Sequence, residues 1–507
     1  MTHTTTPIER LRGGPADPPR TRQRPRGSTG KRTAGQETRR ARPPCRTGHG
    51  TSRGVVLVAV LLVTALVALI AAGLIFRMRA EVATATADAR GEQAYETAMS
   101  GVAAAMLVLH NSARDMTTWY DNPEVFQNQF VADDGSDRWF FTVYADDPTE
   151  QAPVRYGLTD EASKVNLNSA PPETLLALKN MTAELVACLV DYRDADTDPS
   201  PDGAEQDYYD SLRRPYAVPN QALATMDELL MVKGFTGQVI YGQDSNLSAV
   251  LGVRTGDGTG RTAARSRDGS PDRGLRGMAT VYSSEPNVDN AGRPRVDLNS
   301  DIPAGAVDLP EATLKFIRLY RAEGGKFENP CDLLEMRYEL KQAHPDDKLE
   351  AGAEIESGVM AEQLPVVMDR LTTKPTGARR PLVGLVNVNT APAEVLAVLP
   401  SLDVNVAQQM ADLRRDLPAE AKNTVAWLYT QNLLEAEAFK KAAPYLTARG
   451  SQYSVRCIGF GVPCGRYRVL EAVIDLSRGT PRVAYLRDIT RLGLPFALDT
   501  DLLERKR

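Results

Sequence analysis

Five carboxylates crowd one short stretch: Asp194, Asp196 and Asp198 alternate, and Asp202 and Glu205 follow. Alternate acids in a loop, with a Glu at the twelfth position counted from Asp194, suit a hard, oxygen-seeking cation such as Ca2+. The stretch is not a standard calcium loop, because Pro199 stands where Gly makes the sharp turn. A solvated acidic loop is the bland alternative for the same residues.

Other chemistry has less to stand on. The four His residues (His3, His49, His110 and His344) are scattered, and no Cys-x-x-Cys, His-Glu-x-x-His or Gly-x-Ser-x-Gly occurs. An enzyme is not expected. Of the cysteines, Cys45 lies in a basic head, leaving Cys188, Cys331, Cys457 and Cys464. Cys457 and Cys464 flank a turn rich in Gly and Pro and are the preferred disulfide pair. The alternative is that all four are small buried apolar residues.

The elements that must position these groups begin with an uncharged run of 22 residues, Val55 to Phe76. At 1.5 Å per residue it is long enough to cross a hydrocarbon core of about 30 Å. It is too long for the apolar core of a secretory signal. Residues 1–54 hold 13 Lys and Arg against three acids, a net charge of +10 in a chain of −5, which leaves −15 for the rest. The basic flank predicts a cytoplasmic N-terminus with the body on the other side of the membrane. An acidic body does not favour nucleic acid, whose phosphates need dense Lys and Arg.

One long helix is expected from about Val55 to His110, then β-rich stretches at Arg138 to Ala145 and Val154 to Leu158. A mostly helical region follows, in which Val165-Asn-Leu-Asn-Ser169, Val296-Asp-Leu-Asn-Ser300 and Val386-Asn-Val-Asn-Thr390 each precede a helical stretch. An Arg closes a helix 25–28 residues after each: Arg193, Arg321 and Arg414. Asn and Ser/Thr serve as N-caps, Pro sits in the first turn, and rows of Leu or Val face a core. Arg254 to Gly277 reads as a flexible surface loop, and three strands close the chain. The expected fold is therefore α+β. Residues 1–54 form a basic, disordered tail, 55–112 the helix with its membrane part in 55–76, 113–159 the first strands, 160–449 a helical insert, and 450–507 the closing strands.

Ser52-Arg53-Gly54 ahead of Val55-Val-Leu-Val-Ala59 resembles the cleavage region of type IV prepilins and pseudopilins. On that resemblance Gly54 ends the leader, Val55 becomes the new, methylated N-terminus, and Ala59 takes the fifth position, where most members carry Glu. Absence of that Glu is similar to the minor pseudopilin K of the type II secretion system. The ordered set Lys164 to Ala170, Asp191 to Asp198, Gly203 to Tyr209, Pro215-Tyr216 and Asp227 to Leu230 resembles the same family's insert. The resemblance runs from about Arg53 to the C-terminus and is weakest between about 250 and 380. It implies a pilin-like helix and small antiparallel sheet carrying a large all-α insert, with calcium near Asp194. It also implies an inner-membrane protein with a periplasmic body, processed by prepilin peptidase. Such a protein would join minor pseudopilins I and J to start a short pseudopilus for protein export and cap its tip. A minor pilin of a type IV pilus shares everything but the destination. The Asn-rich runs also resemble helix-hairpin-helix modules, making a membrane-anchored DNA receptor the rival. Those modules hold phosphate on the backbone N–H groups of a Gly-containing hairpin. Here Leu178 to Met181 and Pro400 to Asp403 contain no Gly.

Overall fold

Residues 53–112 contain no proline and are dominated by Ala, Val and Leu, so nothing interrupts the i to i−4 ladder. They form one α-helix, α1 (Arg53–Ser112), in a computed structural model that describes residues 53–146, 154–242, 273–375, 381–494, 496 and 498. The basic tail through residue 52, and the expected loop up to residue 272, lie outside the described residues. The chain divides into one unit ending at Met78 and a second, 79–507. In the first unit the side chains from Val56 onward are exposed, and this stretch is apolar and long enough to cross a membrane.

In the second unit α1 buries Ala94, Ala98, Val102, Ala105 and Leu109, a stripe at three- and four-residue spacing. The stripe packs on one face of an antiparallel sheet built from β1 (Gln129–Asp133), β2 (Arg138–Tyr144), β3 (Thr159–Asp160), β4 (Gln452–Val462), β5 (Tyr467–Asp475) and β6 (Arg482–Asp488). The order is β1-β2-β4-β5-β6, and β3 pairs with β4 beside β2. Successive side chains of a strand point to opposite faces. Val455 and Cys457 therefore face α1, while Ile458 and Phe460 join Phe140 and Val469 on the far side, covered by Leu492, Leu494 and Phe496. Helix and sheet meet closely at two glycines. A Cβ on Gly459 would lie 2.3 Å from the Ala94 carbonyl oxygen and 2.4 Å from the Ala98 nitrogen, and one on Gly101 would lie 2.3 Å from Cys457 Sγ.

Between β3 and β4 the chain leaves the sheet and returns beside its point of departure: Asp160 pairs with Tyr453, and Thr159 with Ser454. The intervening residues form an insert with its own core. This insert is not all-α. Among the described residues it contains five small two-stranded ladders, too short to leave an alternating pattern in the sequence. Three are parallel pairs that begin at the Asn-rich runs: Val165–Asn166 with Ala279–Thr280, Val296–Asp297 with Leu371–Thr372, and Val386–Asn387 with Leu446–Thr447.

The same bonds recur after each pair. The first side chain (Asn166, Asp297, Asn387) accepts from the N–H two residues on, at 2.8, 2.9 and 3.0 Å. Asn168 and Asn299 each exchange two bonds with a distant backbone residue, Leu223 and Phe327, and Asn389 donates to Lys422 and Ala448. The helix-closing arginines return to the same loops. Arg193 donates to the carbonyls of Leu167 and Ala170, Arg414 to those of Val388 and Ala391, and Arg321 to that of Ser300. The turn residues Asn180 and Ser401 take up positive φ (66° and 60°) where a Gly would otherwise be preferred.

Charged groups brace the sheet to the insert. Glu471 on β5, its side chain 6% exposed, receives Arg456 of β4 (3.3 Å), Arg487 of β6 (2.8 Å) and Arg276 of the insert. Arg456 also pairs with Asp146 (3.0 Å), and Arg487 with Asp227 of the insert. Burial by itself would raise the Glu471 carboxyl, but Arg276, Arg456 and Arg487 together hold it far below the usual range. At the junction, Asp160 accepts from Asn387 (2.7 Å), Thr390 (2.8 Å) and the Ala162 N–H (2.9 Å), which fastens the third Asn-rich run to the edge of the sheet.

Candidate metal centre

The helix Ala183–Arg193 starts at Thr182, whose hydroxyl accepts from the Leu185 N–H, and buries Leu185, Val186, Cys188, Leu189 and Tyr192. With Arg193 tied to the first Asn-rich loop, Asp194 emerges at a fixed point. Asp191, fully buried, accepts from the Ser200 N–H (3.1 Å) and folds the loop back over the helix end. A Cβ on Gly203 would lie 1.9 Å from Asp191 Oδ2, so glycine is needed where the loop passes this carboxylate. Two residues later Glu205, 5% exposed, opens the helix Gln206–Asp210.

These constraints bring ligand atoms of Asp194, Asp196 and Glu205 within 4.8 Å of one another. Asp194 Oδ1 and both Glu205 oxygens are buried without a hydrogen-bond partner. Burial raises both carboxyls. Asp196 and Asp191 raise Asp194 further, and Asp191, Asp194 and Asp196 raise Glu205. Unpaired buried carboxylates facing one another are costly unless a proton or a cation joins them. An all-oxygen donor set of this kind fits Ca2+. Asp198 and Asp202 are exposed and do not join the group. The Asp198 N–H instead caps Asp196 (3.0 Å), and Asp202 takes the left-handed turn (φ 67°).

Sequence reasoning passes over Asn220. Its Nδ2 donates to the Asp196 carbonyl (2.6 Å), and its Oδ1 is buried without a partner. Lying 24 residues downstream and outside any acidic run, it carries no local signal.

The other expected sites fall elsewhere. Gly54 and Val55 lie in the first turn of α1, and Ala59 is exposed on the same helix. Cys457 and Cys464 are not bonded, contrary to expectation; Cys188 and Cys331 are free as well. Cys457 sits mid-strand against α1, whereas Cys464 lies beyond the end of β4, where its N–H donates to Asp137 (2.9 Å). At about 3.3 Å per residue, the strand between them exceeds the Cα separation of roughly 4.4–6.8 Å that a disulfide spans. Burial pushes the Cys331 thiol up to about 12 and the Cys457 thiol higher still, as expected for inert core residues.

Residues 163–244, which hold the acidic group and the first Asn-rich run, match the family described as Type II secretion system (T2SS), protein K. No curated protein matches the chain. Among solved structures it is similar, at 12% identity and a TM-score of 0.38, to the GspK-GspI-GspJ complex from the enterotoxigenic Escherichia coli Type 2 Secretion System. That likeness covers 81% of this chain and 99% of the other.

Proposed function

From the match of residues 163–244 to the protein K family of the type II secretion system, we propose that this chain is the minor pseudopilin at the tip of the secretion pseudopilus. The observation that carries the reading is the family's domain set within a large insert, between two strands of a small sheet fronted by an apolar N-terminal helix. The arrangement reads as a pilin-like body with a bulky addition. In a filament of such helices, a carboxylate at the fifth mature position would neutralise the N-terminal ammonium of the subunit above, where an unpaired charge is expensive. Ala59 has no such charge to offer. A subunit with nothing above it needs none, and the insert would obstruct further addition.

The leader would direct insertion into the inner membrane with the N-terminus cytoplasmic and the body periplasmic. Prepilin peptidase would cut after Gly54, and Val55 would be methylated. The apolar helix would then pack with those of minor pseudopilins I and J to begin the filament. The mechanism is assembly rather than turnover. The direct test is the N-terminal sequence and mass of protein purified from membranes with and without prepilin peptidase. A chain beginning at Val55 only when the peptidase is present is the expected outcome. An N-terminus ahead of Gly54 in both preparations would sink the pseudopilin reading.

Asp194, Asp196 and Glu205 would hold Ca2+. The ion would offset two of the cluster's three negative charges and pin the loop between two helices of the first repeat. At 100 times its Kd, Ca2+ should stabilise the folded protein by about 2.7 kcal/mol. Glu205→Gln should remove that gain, yet make the calcium-free protein more stable than wild type by relieving the repulsion. Because burial and neighbours raise the folded values of Asp194 and Glu205, calcium-free protein binds these protons more readily when folded. Its stability therefore falls as pH rises through that range, and the benefit of Ca2+ grows. Thermal melts in calcium and in chelator check this, and coincident curves at neutral pH would eliminate the metal.

A further inference from the structure

Between the acidic cluster and the sheet runs a stretch with no regular structure of its own. Residues 215–225 form neither helix nor strand, so their path is set by side chains that reach them from elsewhere. The Val218 N–H donates to Gln206 Oε1 (2.9 Å), and Asn220 donates to the Asp196 carbonyl (2.6 Å). Leu223 exchanges two bonds with Asn168 (2.8 and 3.0 Å), and the Tyr282 hydroxyl donates to the Ala224 carbonyl (2.9 Å). A 3-10 helix, Met226–Met231, follows, in which Asp227 receives Arg487 of β6 and the Tyr241 hydroxyl.

The stretch is tied to the cluster at one end and to the sheet at the other. Asp196 belongs to the cluster, and its carbonyl is the one that holds Asn220. Arg193, next to Asp194, fixes the first Asn-rich loop through the carbonyls of Leu167 and Ala170, and that loop supplies Asn168. Two routes therefore lead from the cluster onto 220–224. Seven residues beyond Asn220 stands Asp227, which pairs with Arg487, itself bonded to Glu471 where insert and sheet meet. Without an ion, three carboxylates within 4.8 Å of one another repel. Asp194 and Glu205 are anchored at helix ends, whereas Asp196 is exposed in a loop without helix or strand and has room to swing away. When it does, its carbonyl leaves Asn220.

We propose that Ca2+ in the cluster tightens the docking of the insert on the sheet, acting through 220–227 on the Asp227–Arg487 pair. The inference rests on the calcium reading of Asp194, Asp196 and Glu205. Coupling between two sites is reciprocal, so whatever Ca2+ adds to the Asp227–Arg487 contact, that contact adds to Ca2+ affinity. Among the described residues Arg487 bonds Asp227 and Glu471 and no member of the cluster, so an effect of Arg487 on calcium must travel through the stretch between them.

The test is a calorimetric titration of the full chain in detergent micelles with calcium chloride. Arg487→Gln is expected to weaken Ca2+ roughly fivefold, the lower end of typical coupling between sites. Arg337→Gln, which removes an exposed ion pair elsewhere in the insert, should leave the affinity unchanged. A second measurement needs no variant. Ca2+ added to the wild type should slow amide hydrogen exchange in 224–231 and in Arg482–Asp488 as well as in 194–205. Unchanged affinity in Arg487→Gln, or protection confined to 194–205, overturns the coupling and leaves the calcium site standing. A wild type that binds no calcium overturns the calcium reading, and the coupling with it.

Discussion

Glu471→Gln should destabilise the body by about 3–5 kcal/mol, because it leaves three guanidinium groups facing one another around a neutral amide. The pair count decides the size. Arg276, Arg456 and Arg487 all bond Glu471, and the side chains of Arg276 and Arg456 are each only 16% exposed. Asp146 and Asp227 compensate Arg456 and Arg487 in part, whereas Arg276 has Glu471 as its ion-pair partner among the described residues. A conservative exchange at an exposed pair such as Arg337–Glu356 should cost no more than about 1 kcal/mol. The effect also has a definite pH dependence. The folded-state value of Glu471 is depressed, so its contribution is fully present above the ordinary glutamate value of about 4.3 and is lost as pH falls below it. Wild type and variant should therefore converge on acidification. Chemical denaturation at pH 7 and at pH 4 measures both claims, and a variant that unfolds with wild type at neutral pH would refute the bracing role. Because the arginines come from the insert and from two strands, its loss should loosen the insert from the sheet before the sheet itself melts.

Gly459→Ala is expected to cost about 3 kcal/mol, the upper range for overpacking a core. The added methyl would fall 2.3 Å from one backbone atom of α1 and 2.4 Å from another, and no rotamer change can move backbone. The helix would have to back away from the sheet, opening the stripe of Ala94, Ala98, Val102, Ala105 and Leu109. Replacing Ala98 with Gly should give no rescue, because the clash is with main-chain atoms. Gly237→Ala is the control: it meets nothing nearer than 3.9 Å, its φ is not positive, and the change should be neutral or slightly stabilising. Thermal unfolding of both variants separates the contact from a general intolerance of glycine replacement. If Gly459→Ala melts with wild type, the close approach of helix and strand is wrong.

What the sequence by itself determined is local. An uncharged run of 22 residues must be helical and lipid-compatible, because its length and composition leave the backbone no other way to satisfy its hydrogen bonds in a membrane. The three Asn-rich runs are legible for a similar reason: the first side chain of each bonds a backbone group two residues on. The crowding of acids at 194–205 and the swing in charge between tail and body are likewise matters of composition.

Only the tertiary structure decided which groups meet. Asp194, Asp196 and Glu205 converge while Asp198 and Asp202 do not, because buried Asp191 and Gly203 set the path of the loop. Asn220 bonds the Asp196 carbonyl from 24 residues away. Cys457 and Cys464 are close in sequence, yet an extended strand holds them apart. The two-residue parallel ladders of the insert leave no periodic pattern, since each strand's partner lies 60–114 residues further along the chain. Arg276, Arg456, Glu471 and Arg487 become one cluster only when the insert folds back on the sheet. Contacts of that separation depend on the whole core closing, and no window of sequence contains them.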